Sequence, residues 1–126
     1  MKRSGIVNAA LAAGIARLGH GQQVAVVDCG TPLPRGLDVV DLAVVHGVPP
    51  FTAVLDALLA ELVIDGALAA AEAGPVVRGW LWERGLEPVF VPHEELKKRI
   101  AGVQLVARTG EATPYANVIL TCGVPF

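Results

Sequence analysis

Apolar positions along the chain follow two alternating rhythms. Leu11, Ile15 and Leu18 recur at i, i+4 and i+7, so one helical face carries them, and Asn8 stands where a side-chain oxygen can cap the first turn. A helix is therefore predicted over residues 9–18, with Gly19 stopping it. Residues 22–28 are a short, Val-rich run that predicts a buried strand. Residues 29–36, with two prolines and two glycines, predict an ordered loop, and residues 37–45 a second short strand or extended segment. Phe51, Val54, Leu55, Leu58, Leu59 and Leu62 then repeat at helical spacing behind Pro49-Pro50. Proline is tolerated in a first helical turn because its missing N–H has no intrahelical partner there.

The second half continues in the same way. Residues 62–70 read as a buried strand. Residues 75–84 read as a short helix with Val76, Val77, Trp80 and Leu81 on one side, ended by Gly85. Residues 87–91 predict a strand, and residues 92–100 a helix. In that helix Glu94 and Glu95 precede Lys97, Lys98 and Arg99, the order that the helix dipole favours. Residues 103–108 and 117–121 are the last two strands, joined through 109–115. Strands alternating with helices predict one α/β domain over residues 1–126, a three-layer α/β/α arrangement on a central, mainly parallel or mixed sheet.

Composition changes this picture in one respect. The chain is 53% hydrophobic and only 17% charged, richer in apolar residues than the roughly 45–50% usual for a soluble domain. A homo-oligomer is expected, because subunit contact would cover the excess. The net charge is −2 with no basic stripe, and aromatics make up 5%, which argues against a nucleic-acid partner. Cys29 and Cys122 lack a CxxC spacing, as suits a reducing cytoplasm. Met1-Lys2-Arg3 followed by an apolar run superficially resembles a signal peptide, but Asn8 interrupts that run and Ala and Gly dominate it. No stretch reaches the ~18 apolar residues of a spanning helix, so no membrane partner is expected.

Candidate chemistry begins at His20, in a Gly-His-Gly step just before the Val-rich strand, and at Asp28, which ends that strand. A histidine before a strand and an acid after it can supply proton-transfer groups to one cleft. Taken alone, the same residues also fit a turn histidine at a helix end and an ordinary strand-end turn aspartate.

Several stretches resemble one family. RLGHGQQVAVVDCGTPLP, DLAVVHGVPPF, HEELKK and RTGEATPYANVILTCGVPF are similar, in that order, to the sugar mutarotases of the ribose/fucose type. The resemblance covers nearly the whole chain, and residues 73–87 are the divergent, shorter part. It implies cofactor-free, metal-free interconversion of the β-pyranose and β-furanose forms of D-ribose. It also implies a ring-shaped, decameric homo-oligomer with sites near subunit contacts. The family's catalytic histidine falls on His20, its sugar-binding aspartate on Asp28, its second histidine on His93, and its Tyr-Ala-Asn segment on Tyr115, Ala116 and Asn117. The Gly30–Pro34 loop favours the ribose branch over the fucose branch. Cys29 stands where a small residue such as Ala is usual, and Pro125 precedes the terminal Phe126.

These residue types suit the implied chemistry. A sugar ring opens when its ring oxygen gains a proton as the anomeric hydroxyl loses one, so an acid and a base held against a neutral sugar suffice. Histidine, which titrates at about 6.5 when unperturbed, can do both near neutral pH. Asp28 can grip hydroxyls, orient His20 or assist as base. His93 opens a helix, whose dipole disfavours the imidazolium. Asn117 offers an amide donor and acceptor, and Tyr115 a hydroxyl and a ring face. Two other readings stand beside this one. A non-catalytic sugar-binding or transport-accessory module would use the same polar set without proton transfer. A metal-dependent hydrolase would draw on His20, Asp28, His46 or His93, but no HxH, HxxxH or HExxH spacing supports it. Arg17, Arg108 and Glu111 are expected at oligomer contacts, His46 as structural or at the edge of the site, and the cysteines as buried small hydrophobes.

Overall fold

In the computed structural model, which describes residues 1–126, the Val-rich run becomes β1 (Gln23–Val27). Val24 through Val27 are fully buried, on both faces of the strand. That double burial is why the run shows no polar alternation: both faces of the sheet are covered. The other strands are β2 (Val39–Asp41), β3 (Ile64–Ala70), β4 (Val89–Val91), β5 (Leu105–Arg108) and β6 (Val118–Cys122). They form one six-stranded sheet in the order β2-β5-β1-β6-β3-β4. β1 and β2 each run parallel to β5, β3 runs parallel to β4, and β6 lies antiparallel between β1 and β3. The sheet is mixed, and the predicted three-layer α/β domain is what forms.

The helices divide unequally between the faces. α1 (Ala9–Ala16), α2 (Phe51–Leu59) and α3 (Pro75–Trp82) bury Leu11, Ile15, Phe51, Leu55, Leu58, Val77 and Leu81 with Val24, Val26, Leu105, Val118 and Leu120 of the sheet. α4 (His93–Ile100) covers the other face, where Leu96 and Ile100 meet Ala25, Val27, Val106 and Ile119. Each fully buried Leu, Ile or Phe contributes about 1.5–3 kcal/mol of transfer free energy. Asn8 caps α1 as its sequence position suggests, its Oδ1 accepting the Leu11 N–H at 2.9 Å. α1 approaches closely because Gly14 has no Cβ, which would sit 2.9 Å from the Leu105 methyls.

The short strand expected within 37–45 forms over three residues, because the Asp41 carboxylate accepts the Ala43 N–H at 3.1 Å and turns the chain. One expectation about a helix changes. In α3 the buried pair is Val77 and Leu81, spaced i, i+4, whereas Val76 faces outward at 61% exposure. No helix is long and apolar enough to cross a membrane.

Candidate functional site

The carboxyl ends of β1 and β5 open into a cleft of about 380 Å³, lined by Asp28–Pro32, His46, His93 and residues 111–115. A mixed sheet with helices on both faces offers such crevices beyond its strand ends, where loops diverge. Asp28 follows the last residue of β1, and its carboxylate folds the next loop onto itself. Oδ1 accepts the N–H groups of Gly30 (3.0 Å) and Thr31 (2.7 Å). Oδ2 accepts the Asn117 amide Nδ2–H at 3.1 Å. Asn117 is fully buried just before β6, and its Oδ1 in turn accepts the Asp28 N–H (2.9 Å) and the Thr31 hydroxyl (3.0 Å). This fixes the amide orientation, since both groups that meet its oxygen are donors. Asp28 is thereby held in one rotamer with lone pairs left on Oδ2. Asn117 acts on it from behind, its oxygen already saturated. Ala116, also fully buried, lies outside the cleft lining.

His93 is the first residue of α4, and Pro92 before it provides no capping side chain. The Glu72 carboxylate, 21 positions away, accepts the His93 N–H at 2.7 Å instead. The imidazole meets the Tyr115 ring edge-on, with centroids 5.0 Å apart and planes at 79°. Its buried Nδ1 has no protein partner. Tyr115 has φ +61°, a left-handed conformation that costs a bulky residue about 1–3 kcal/mol. A tight turn holds it there, the Asn117 N–H reaching the Tyr115 carbonyl at 2.9 Å. Strain of this kind clusters at ligand and active sites, and here it stands beside a half-exposed ring and an unpartnered histidine nitrogen.

His20 is not in this cleft. It precedes β1 whereas Asp28 follows it, and the five residues of the strand between them span about 17 Å. Within one chain His20 and Asp28 therefore do not share a cleft: an extended strand cannot fold its two ends together. His20 instead lies at the opposite end of the strands, where its Nε2 is 3.4 Å from Asp65 Oδ2 on β3. The pair is open to solvent, with side-chain exposures of 66% and 53%. Gly123 makes room for it, because a Cβ there would lie 2.1 Å from Asp65 Oδ1. Burial and the Asp65 charge push the neighbouring Cys122 thiol above its ordinary range, so that thiol stays protonated and unreactive.

Four supporting residues have no part in the sequence reading of the site: Asp65, Thr31, Glu72 and Glu111. The Glu111 carboxylate is buried, and it accepts the Phe51 N–H (3.0 Å) together with the Thr113 N–H (3.2 Å) and hydroxyl (2.8 Å). Burial pushes its carboxyl up, but these hydrogen bonds outweigh burial and hold it below the usual range. Arg108 is likewise an internal strut, joining Asp41 to the Cys29 carbonyl. Both residues thus make contacts within the chain. The signal for Glu111 was Pro49-Pro50: a helix started by prolines has no capping side chain of its own and needs an acceptor from elsewhere. His46 and half-buried Cys29 line the cleft directly.

The model of the RbsD / FucU transport protein family matches residues 1–125. The chain is 53% identical over 127 residues to the D-ribose pyranase of Cutibacterium acnes, and 55% identical over 129 residues to D-ribose pyranase 1 of Rubrobacter xylanophilus. Both alignments cover 100% of each chain. Among solved structures, Bacillus subtilis RbsD complexed with D-ribose superposes with a TM-score of 0.93 at 36% identity, covering 100% of both chains. The fucose mutarotase of Streptococcus pneumoniae, in complex with L-fucose, shares the fold with a TM-score of 0.79 at 18% identity over 95% of each chain.

Proposed function

The chain belongs to the RbsD / FucU transport protein family, and we propose that it is an isomerase that interconverts the β-pyranose and β-furanose forms of D-ribose. The observation that carries this reading is full-length identity above half to D-ribose pyranases, on a chain whose cleft presents an anchored carboxylate, a histidine and a tyrosine. Ring opening breaks the C1–O5 bond: O5 takes a proton as the anomeric O–H gives one up, leaving a free aldehyde. O4–H then attacks C1, its proton leaves, and the carbonyl oxygen is protonated to give the furanose. No charge accumulates, so paired side-chain acids and bases are enough. Asp28 Oδ2 accepts sugar hydroxyls, His93 and Tyr115 form the wall against the ring, and the buried Ala116-Asn117 step behind the cleft serves the sugar indirectly, Asn117 by holding Asp28 in place. His20 carries the proton, and Asp65 orients its ring.

The separation of His20 from Asp28 fits a site assembled from two copies. One copy supplies the Asp28–His93–Tyr115 cleft and another its His20–Asp65 edge. Exposed Val44, Val45 and Val48 beside the cleft supply apolar surface for such a contact. A ring-shaped decamer would repeat that heterologous contact around its ring until it closes. The enzyme acts in the cytoplasm, where its two unpaired cysteines stay reduced.

Magnetisation-transfer NMR of D-ribose tests the reaction. Pyranose–furanose exchange should accelerate with the wild type and return to the uncatalysed rate with His20→Ala. Acceleration of L-fucose exchange alone would move the substrate to the other branch. Calorimetric ribose binding without acceleration would favour a sugar-binding transport accessory.

A further inference from the structure

α2 starts behind two prolines and has no capping side chain, so its first N–H, from Phe51, needs an acceptor from another part of the chain. Glu111 provides it from 60 positions away with Oε2. With Oε1 the same carboxylate takes both donors of Thr113, in the segment that lines the cleft and leads to Tyr115. The Glu111 backbone is tied on both sides as well. Its N–H donates to Thr109 Oγ1 at 3.1 Å, and its carbonyl accepts the Cys29 N–H at 2.9 Å. One buried carboxylate thus joins the start of α2, the loop after Asp28 and the wall that ends in the strained Tyr115. A cap alone would use one oxygen. The second oxygen faces the cleft wall, where a purely structural cap has no need of it.

We propose that Glu111 is a positioning residue of the sugar cleft, holding the 111–115 segment so that the Tyr115 ring stands edge-on to His93. The proposal rests on the reading that this cleft binds the sugar. Gln in place of Glu111 keeps the shape but turns one acceptor oxygen into a donor NH2. Either the Phe51 N–H or the Thr113 N–H then meets a donor. The backbone bonds of residue 111 and the apolar contacts of α2 remain.

Tyr115 is the chain's one tyrosine, so ring-13C-labelled tyrosine gives a single NMR signal that reports this wall alone. The His93 ring at 5.0 Å makes that signal sensitive to their mutual placement. Folded Glu111→Gln should shift or broaden the signal and weaken ribose affinity by about tenfold, the consequence of a lost buried hydrogen bond. Exchange at saturating ribose should change far less, because the proton carriers are untouched. Thr113→Val, which removes only the hydroxyl bond, should displace the signal in the same direction by less, and Thr113→Ser should restore it. If Glu111→Gln does not fold, the Thr113 pair decides the matter. An unchanged Tyr115 signal in Thr113→Val and in folded Glu111→Gln would overturn the proposal. A wild-type signal indifferent to ribose would remove the sugar reading instead, while the variants would still show whether Glu111 sets Tyr115.

Discussion

Asn117→Asp is the most informative single substitution behind the cleft. The change is isosteric, and a carboxylate there still accepts the Asp28 N–H and the Thr31 hydroxyl as Asn117 Oδ1 does. Only the third contact reverses: the Nδ2–H that meets Asp28 Oδ2 at 3.1 Å becomes an oxygen facing an oxygen. Two carboxylates with charge centres about 4 Å apart repel by about 4 kcal/mol at an effective dielectric constant near 20. The folded variant therefore keeps one shared proton up to about 3 pH units above the ordinary carboxylate range. The sign follows from linkage. A group whose folded affinity for protons is raised favours the fold at low pH, and that favour is lost as pH rises through the folded value. Chemical denaturation at fixed protein concentration should show wild type and variant close together near pH 4 and about 3–4 kcal/mol apart by pH 8. A deficit below 1 kcal/mol, or one that does not change with pH, would refute the claim that Asn117 is pinned against the Asp28 carboxylate.

Two further predictions use the same reasoning elsewhere. Gly123→Ala places a Cβ 2.1 Å from Asp65 Oδ1 and must displace that carboxylate from His20, so ribose exchange should fall about a hundredfold, as it should in Asp65→Asn; full activity in both would remove Asp65 from the account. The Glu111 carboxyl is held below its ordinary range, so it contributes stability above about pH 4.3 that is lost as pH falls through the folded value. The acid limb of the denaturation midpoint should therefore be shallower in Glu111→Gln, and identical limbs would contradict the buried, hydrogen-bonded carboxylate.

Element types were legible in the sequence because they depend on local patterns. The i, i+4 spacing of Leu11 and Ile15, the Val-rich run of β1 and the proline start of α2 each lead to the element observed. The sheet order was not legible. β6 lies antiparallel between two strands that run the other way, and nothing within Val118–Cys122 marks which strands will flank it. The candidate site divides along the same line. Asp28, His93 and Tyr115 were named from the sequence, and the fold gathers them at one cleft. The residues that hold them act across long separations: Asn117 on Asp28 over 89 positions, Glu111 on Phe51 over 60, Glu72 on His93 over 21. Such contacts leave no periodic trace. His20 was named as well, but a strand's rise of about 3.3 Å per residue sets it and Asp28 at opposite ends of β1.

That separation makes mixed oligomers the most direct test of the central claim, a site built from two copies. On the proposed mechanism His20→Ala lacks the proton carrier, and Asp28→Asn lacks the anchored carboxylate. Each alone should leave ribose exchange near the uncatalysed rate. When equal amounts are dissociated, mixed and reassembled, about one quarter of the contacts should pair an intact His20 edge with an intact Asp28 cleft, given random pairing at a heterologous interface. Magnetisation-transfer NMR should then recover about a quarter of the wild-type exchange rate. No recovery in reassembled mixtures that show wild-type size would contradict the two-copy site and require both residues to act from one chain.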